Sequence, residues 1–256
     1  MFNLANILTS ANLMFGIFSI LFAILGELHL AVFAIYAGAI FDFLDGFAAR
    51  LMKTSGELGK QLDSLADMVT FGVAPGVMMM VVLTLKPSNL NDVSTGLVYF
   101  EFTQWFSLLS QGKLILLPLF GLIIPFFSMF RLAKFNIDTR QTTSFIGLPT
   151  PANTLFFTTF PLAIVYTDVW ASPVSEFLFN PYLIVTLIIL MGLLMVSEIP
   201  LFSLKMKNFK WKGNEIRFVF LLISLVLIFI FRVWSIALIV ILYLIMSFVE
   251  NTFVKK

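Results

Sequence analysis

The stretch FDFLDGFAARLMKTSGELGKQLDSLAD, residues 41–67, holds four aspartates in an otherwise oily chain. Asp42 and Asp45 are three apart, Asp63 and Asp67 are four apart, and each pair shares one face of a helix. Gly46 and Ala49 continue the first face with almost no side chain, and Arg50 follows within a turn. Such a small-residue stripe lets a ligand or another backbone approach closely. Gly56 and Gly59 suit a tight turn leading to the second face. Two adjoining helices thereby aim two carboxylates each at a common point. Carboxylates unaccompanied by Cys or His match hard divalent cations such as Mg2+ or Mn2+. Four of them suit two ions about 3.5–4 Å apart, an arrangement used for displacement at phosphorus. The competing reading is a helix-end salt-bridge cluster with Arg50, Lys53 and Lys60. Two matched carboxylate faces with small residues between them favour the metal reading.

The elements that must position these residues are membrane helices. The chain has 256 residues, 60% hydrophobic and 12% charged, with a mean hydropathy of +1.01. That composition predicts an all-α, polytopic transmembrane bundle. Eight apolar stretches approach the length of a span: 11–27, 29–52, 60–85, 114–134, 149–167, 181–199, 216–231 and 233–250. The last two press together at Arg232, so seven is the alternative count. The first Lys or Arg is Arg50, so the start reads as mature protein rather than a secretory signal. A net charge of +2 gives no argument for nucleic acid. The absence of cysteine excludes disulfides and thiolate chemistry, and the single histidine, His29, excludes His-rich metal sites and Ser-His-Asp triads.

With eight spans and both termini inside, the inner side carries 13 Lys and Arg and the outer side 3, which puts the aspartates at the cytoplasmic interface. Residues 68–85 as helix span about 27 Å, nearly a hydrocarbon core. Asp67 then sits near the inner boundary and Asp42 deeper. An intramembrane Asp costs about 2.5–3.5 kcal/mol on insertion scales, a cost that bound cations offset. Residues 86–113 form the longest connection, outside, and LVYFEFTQWFSLL within it reads as a surface-lying or re-entrant piece. The basic KMKNFKWKG with Trp211 reads as an interfacial anchor. Pro75 in FGVAPG predicts a kink in the third span. Met78–Met80 read as packing, and His29 as an interfacial residue.

The segment fits D-x2-D-G-x2-A-R-x8-G-x3-D-x3-D without departure, through Asp42, Asp45, Gly46, Ala49, Arg50, Gly59, Asp63 and Asp67. It resembles the signature of the CDP-alcohol phosphotransferases. The resemblance implies that Asp42, Asp45, Asp63 and Asp67 hold two divalent cations, Mg2+ or Mn2+. It implies that Asp67 is also the general base, and that Gly46, Ala49, Arg50 and Gly59 line the CDP moiety. It further implies transfer of a phosphatidyl-type group from a CDP-linked lipid to an alcohol with release of CMP. The expected organisation is one integral membrane domain over 1–256, with a six-span catalytic core of about 5–200 and added spans at about 216–250. Members of the family often dimerise, so a homodimer is expected.

Three stretches bear on the acceptor. NILTSAN, with Asn6, Thr9 and Asn12, resembles a segment of the family's phosphatidylserine synthases, with Ala5 where proline is common. Asn6 and Thr9 would touch nucleotide or cap the first helix. FRLAKFNI, 130–137, and FIGLPTPAN, 145–153, resemble the same subgroup, with Lys134 where Arg is usual. This points to CDP-diacylglycerol and L-serine as substrates. Arg131, Lys134 and Asn136 are acceptor-binding candidates, because a free amino acid brings a carboxylate that needs a cation. Arg131 and Lys134 also read simply as positive-inside residues, and Pro149 and Pro151 as helix starters. The rival within the chemistry is glycerol 3-phosphate as acceptor. The rival outside it is a cation-coupled transporter, disfavoured by acids gathered at one interface and by the lack of an internal repeat.

Overall fold

The computed structural model describes residues 3–53, 56–85, 93–138, 145–166, 177–202, 211 and 214–254. Arg140 and most of the basic stretch 205–213 lie outside the described residues, as do Lys86, Lys255 and Lys256. The fold is an all-α membrane bundle, and its helices follow the predicted spans closely. α1 covers Leu4–Ile24, α2 Leu28–Leu51, α3 Glu57–Asp67 and α4 Ala74–Thr84. α5 covers Thr95–Ser110, α6 Ile123–Ile137, α7 Thr150–Tyr166 and α8 Pro181–Val196. α9 covers Glu215–Phe231 and α10 Ser235–Val249. Five stretches are long and apolar enough to cross a membrane: Leu4–Ile24, Leu28–Leu51, Glu57–Thr84, Leu117–Ile137 and Glu215–Thr252.

The first helix starts seven residues earlier than the predicted span at 11. The Asn3 side chain caps it, accepting from the Asn6 backbone N–H at 2.8 Å, which satisfies one of the free donors of the first turn. Thr9 is therefore inside α1 and is not its cap. At the other end, Gly26 with φ +83° closes the turn into α2, and a Cβ there would meet the Thr95 carbonyl oxygen at 2.4 Å. α1 then packs along α2, with Phe15 stacked on Phe41 at 5.3 Å between ring centroids.

The third span is not a single α-helix. A π turn, Met68–Val73, separates α3 from α4, and Pro75 lies in the first turn of α4. Proline has no N–H to bond the carbonyl four residues back, which belongs to Phe71. The Thr154 hydroxyl of α7 reaches that carbonyl at 2.8 Å, sharing its one proton between it and the Thr150 carbonyl at 2.9 Å. The π turn also packs closely against both α1 and α2. Thr70 donates to the Asn12 carbonyl at 3.0 Å, and a Cβ on Gly16 or Gly38 would lie 2.5 or 2.8 Å from its side chain. Met78 and Met79 are fully buried, as packing residues.

The connection before α6 contains a 16-residue helix, α5. Val98, Phe102 and Trp105 bury into the core while Phe100 and Phe106 remain exposed. This amphipathic piece lies against the α1–α2 turn, at the end of the bundle away from the aspartates. It is a packed helix rather than a re-entrant one.

On the aspartate side, a short antiparallel pairing joins Phe145–Ile146 to Pro200–Leu201. Gly147, at φ +75°, donates to Ile199 at 2.8 Å, tying the start of α7 to the end of α8. The run Glu215–Thr252 reverses at Arg232, with φ 45° and ψ −114°. Phe220 and Tyr243 consequently meet at 6.2 Å, a closeness only a hairpin of α9 and α10 permits. Trp234 in the bend packs on Phe160 of α7 at 6.3 Å.

Candidate active site

Asp42 projects from the third turn from the end of α2, and Asp63 and Asp67 from one face of α3. Carboxylate oxygens of these three lie within 4.8 Å of one another. Asp45 is turned toward α1, and the Thr9 hydroxyl donates to its Oδ2 at 2.5 Å. The four acids therefore divide into a group of three and one neighbour. Asn12, on α1, donates from Nδ2 to Asp67 Oδ1 at 3.1 Å. That amide holds one oxygen of Asp67.

No Lys or Arg forms an ion pair with these carboxylates among the described residues; Lys134 pairs instead with Glu198. Arg50, Lys53 and Lys60 thus do not form the salt-bridge cluster weighed as the alternative reading. Three converging carboxylates without a counter-cation repel when ionised, and their oxygen-only donor set fits a hard divalent cation.

Beside this group opens a cleft of about 430 Å3. Its walls come from the start of α1, the end of α2 and the start of α3. Asn6, Thr9, Gly46, Ala49, Arg50 and Gly59, the six residues read as nucleotide-facing, all line it, together with Asp45 and Asp63. Arg50 folds back over its own helix, its Nη1 3.6 Å from where a Gly46 Cβ would stand. Gly59 faces Asn6 across the α1–α3 seam, 3.5 Å from its Oδ1 to a Cβ position. The small side chains keep the cleft open and the guanidinium charges its wall.

Arg131, Lys134 and Asn136 are not among the residues lining this cleft. Arg131 is buried, donates from Nε to the Leu148 carbonyl at 3.2 Å, and lies 5.2 Å from the Phe135 ring centre. Lys134 is bonded to Glu198. Asn136 donates to the Ser64 hydroxyl at 2.7 Å, so the end of α6 is pinned to α3. Ala5, Gly56, Glu57 and Lys60 also line the cleft, although the sequence reading gave none of them a nucleotide- or acceptor-facing role. Lys60 did carry a signal, since it stands three and seven residues before Asp63 and Asp67 on one helical stripe.

A family model described as CDP-alcohol phosphatidyltransferase matches residues 2–249. A CDP-diacylglycerol–serine O-phosphatidyltransferase of Helicobacter pylori (strain ATCC 700392 / 26695) is 31% identical over 253 residues, covering 97% of this chain and 90% of that protein. One of the same name from Methanocaldococcus jannaschii is 31% identical over 200 residues, 78% of this chain and 76% of that protein. An archaetidylserine synthase of Methanothermobacter thermautotrophicus is 28% identical over 174 residues, 66% of this chain and 62% of that protein.

Proposed function

The chain belongs to the CDP-alcohol phosphatidyltransferase family, and from that premise we propose that it transfers the phosphatidyl group of CDP-diacylglycerol to the hydroxyl of L-serine, releasing CMP. The observation that carries this reading is the group of Asp42, Asp63 and Asp67 set against the cleft lined by Arg50 and the small residues. Serine as acceptor is supported by the relatives' names, which share serine while the lipid part differs between them.

In the reaction, the serine oxygen forms a bond to the lipid-side phosphorus as the bond from that phosphorus to the CMP oxygen breaks. Asp67 takes the serine proton, and Asn12 keeps its carboxylate turned toward the stripe. Asp42, Asp63 and Asp67, joined by Asp45, would hold two divalent cations, Mg2+ or Mn2+, which supply neutralising charge for a diphosphate. Thr9 orients Asp45 for that set. Arg50 adds a cation that can pair with phosphate oxygens. Gly46, Ala49 and Gly59 admit the nucleotide, and Asn6 offers it an amide. The six-span core of about 5–200 carries all of these residues. On the Lys and Arg distribution, the site and both termini face the cytoplasm, where a water-soluble acceptor arrives; a homodimer is part of this reading on the family resemblance alone.

The test mixes purified protein with CDP-diacylglycerol, Mn2+ or Mg2+ and one alcohol at a time, and follows CMP. CMP release that depends on serine, stops on chelation and returns with added metal is the expected result. Release with glycerol 3-phosphate in place of serine would move the acceptor assignment, and no release with any alcohol would overturn the enzyme reading.

A further inference from the structure

Resting on the serine-transfer reading, we propose that Lys60 is the residue that holds the carboxylate of the amino-acid acceptor. Lys60 lines the cleft beside Asp63. It continues the Asp63–Asp67 stripe of α3 outward, two helical turns below Asp67. Its Nζ donates to the Asn136 backbone carbonyl at 2.7 Å. An ammonium has three donors, and this one meets a neutral oxygen, with no ion pair to a carboxylate among the described residues.

Of the other cations at this end of the molecule, Lys53 does not line the cleft. Arg131 is buried against the Leu148 carbonyl and the Phe135 ring. Lys134 has Glu198. Arg50 stands on the opposite wall, on α2, over Gly46. The cleft therefore has one cation on its α2 wall and one at its α3–α6 edge. A bound amino acid with its carboxylate at Lys60 directs its hydroxyl inward along the stripe toward Asp67. The same edge is held firm by Asn136 and Ser64, so the ammonium is offered from a fixed junction. Lys60 is a specificity-determining contact in this arrangement: it recognises the part of serine that a simple amino alcohol lacks.

The experiment measures CMP release by the full-length protein in detergent with CDP-diacylglycerol and Mn2+, varying serine and donor separately. Lys60→Gln keeps a donor for the Asn136 carbonyl but removes the charge. It is expected to raise KM for serine about tenfold or more, in line with loss of a hydrogen bond to a charged group, while KM for CDP-diacylglycerol holds. Lys60→Arg, which keeps the charge, is expected to restore serine KM to within about threefold of the parent. Ser64→Ala loosens the same α3–α6 junction without touching charge and should leave serine KM unchanged. An unchanged serine KM in Lys60→Gln overturns the inference, as does a rise in donor KM instead. An equal rise in Lys60→Arg or Ser64→Ala overturns it too, because the junction rather than the charge would then be responsible. Absence of serine-dependent CMP release in the parent protein would instead sink the functional reading itself.

Discussion

At the scale of single residues, the four aspartates are not equivalent. Asp45 is 5% exposed and tied to Thr9, whereas Asp67 converges with Asp42 and Asp63 and has one oxygen held by Asn12. Asp67→Asn should therefore leave the fold and melting temperature close to those of the parent, because a neutral amide relieves repulsion among the three acids. It should lower turnover by about 10²- to 10⁴-fold, the range for loss of a general base. Near-normal CMP release by this variant would remove Asp67 from that role. The aspartates and their small, cationic neighbours were legible from spacing alone, because i, i+3 and i, i+4 positions share a face wherever the helix goes. The split into three and one was not legible. It depends on which side α1 presents Thr9 and Asn12, and that is decided by packing across an interval of 36 to 55 residues. The same holds for Arg131, whose type suggested a ligand but whose depth and Leu148 contact follow from how α7 begins.

At the scale of elements, hydropathy located the helices to within a few residues, the start of α1 excepted, but not their irregularities. The span at 60–85 was expected to kink at Pro75. The disturbance lies one turn earlier, as the π turn at Met68–Val73, because the proline frees a carbonyl whose substitute donor comes from another helix. Only the pairing of α7 with this turn makes that visible. Thr154→Val removes the donor to the buried Phe71 carbonyl while keeping the side chain's shape. It should destabilise the protein by about 1–3 kcal/mol, the penalty of an unsatisfied buried acceptor. Thermal unfolding in detergent measures this, and a melting temperature equal to the parent's would show the contact to be dispensable. α5 escaped recognition as a packed helix because its aromatics alternate between core and surface positions, which without the α1–α2 turn beside it reads as interfacial.

At the scale of the whole molecule, the polar connections gather at one end: Thr9 to Asp45, Lys60 to Asn136, Arg131 to Leu148. The opposite end is closed by the Gly26 turn and α5. Lys53 and His29 stand at the two ends of α2 and so report opposite faces of the bundle. The chain has no cysteine, so a single one can be introduced cleanly. In intact cells, His29→Cys should react with a membrane-impermeant maleimide and Lys53→Cys should react only after permeabilisation. The reverse pattern would invert the proposed topology. Across the bundle, the π turn has a geometric role beyond its hydrogen bonds. A π turn carries one more residue than the α-helical turn it replaces, and one residue corresponds to about 100° of rotation about the axis. Below it, α3 presents Asp63 and Asp67 to Asp42 of α2; above it, α4 presents Gly76 to Pro125 and Gly121. The turn acts as a phase shifter between the two halves of one rod. Deleting a single residue there would smooth the helix, yet it would swing the acids out of line with the packing surface that anchors them.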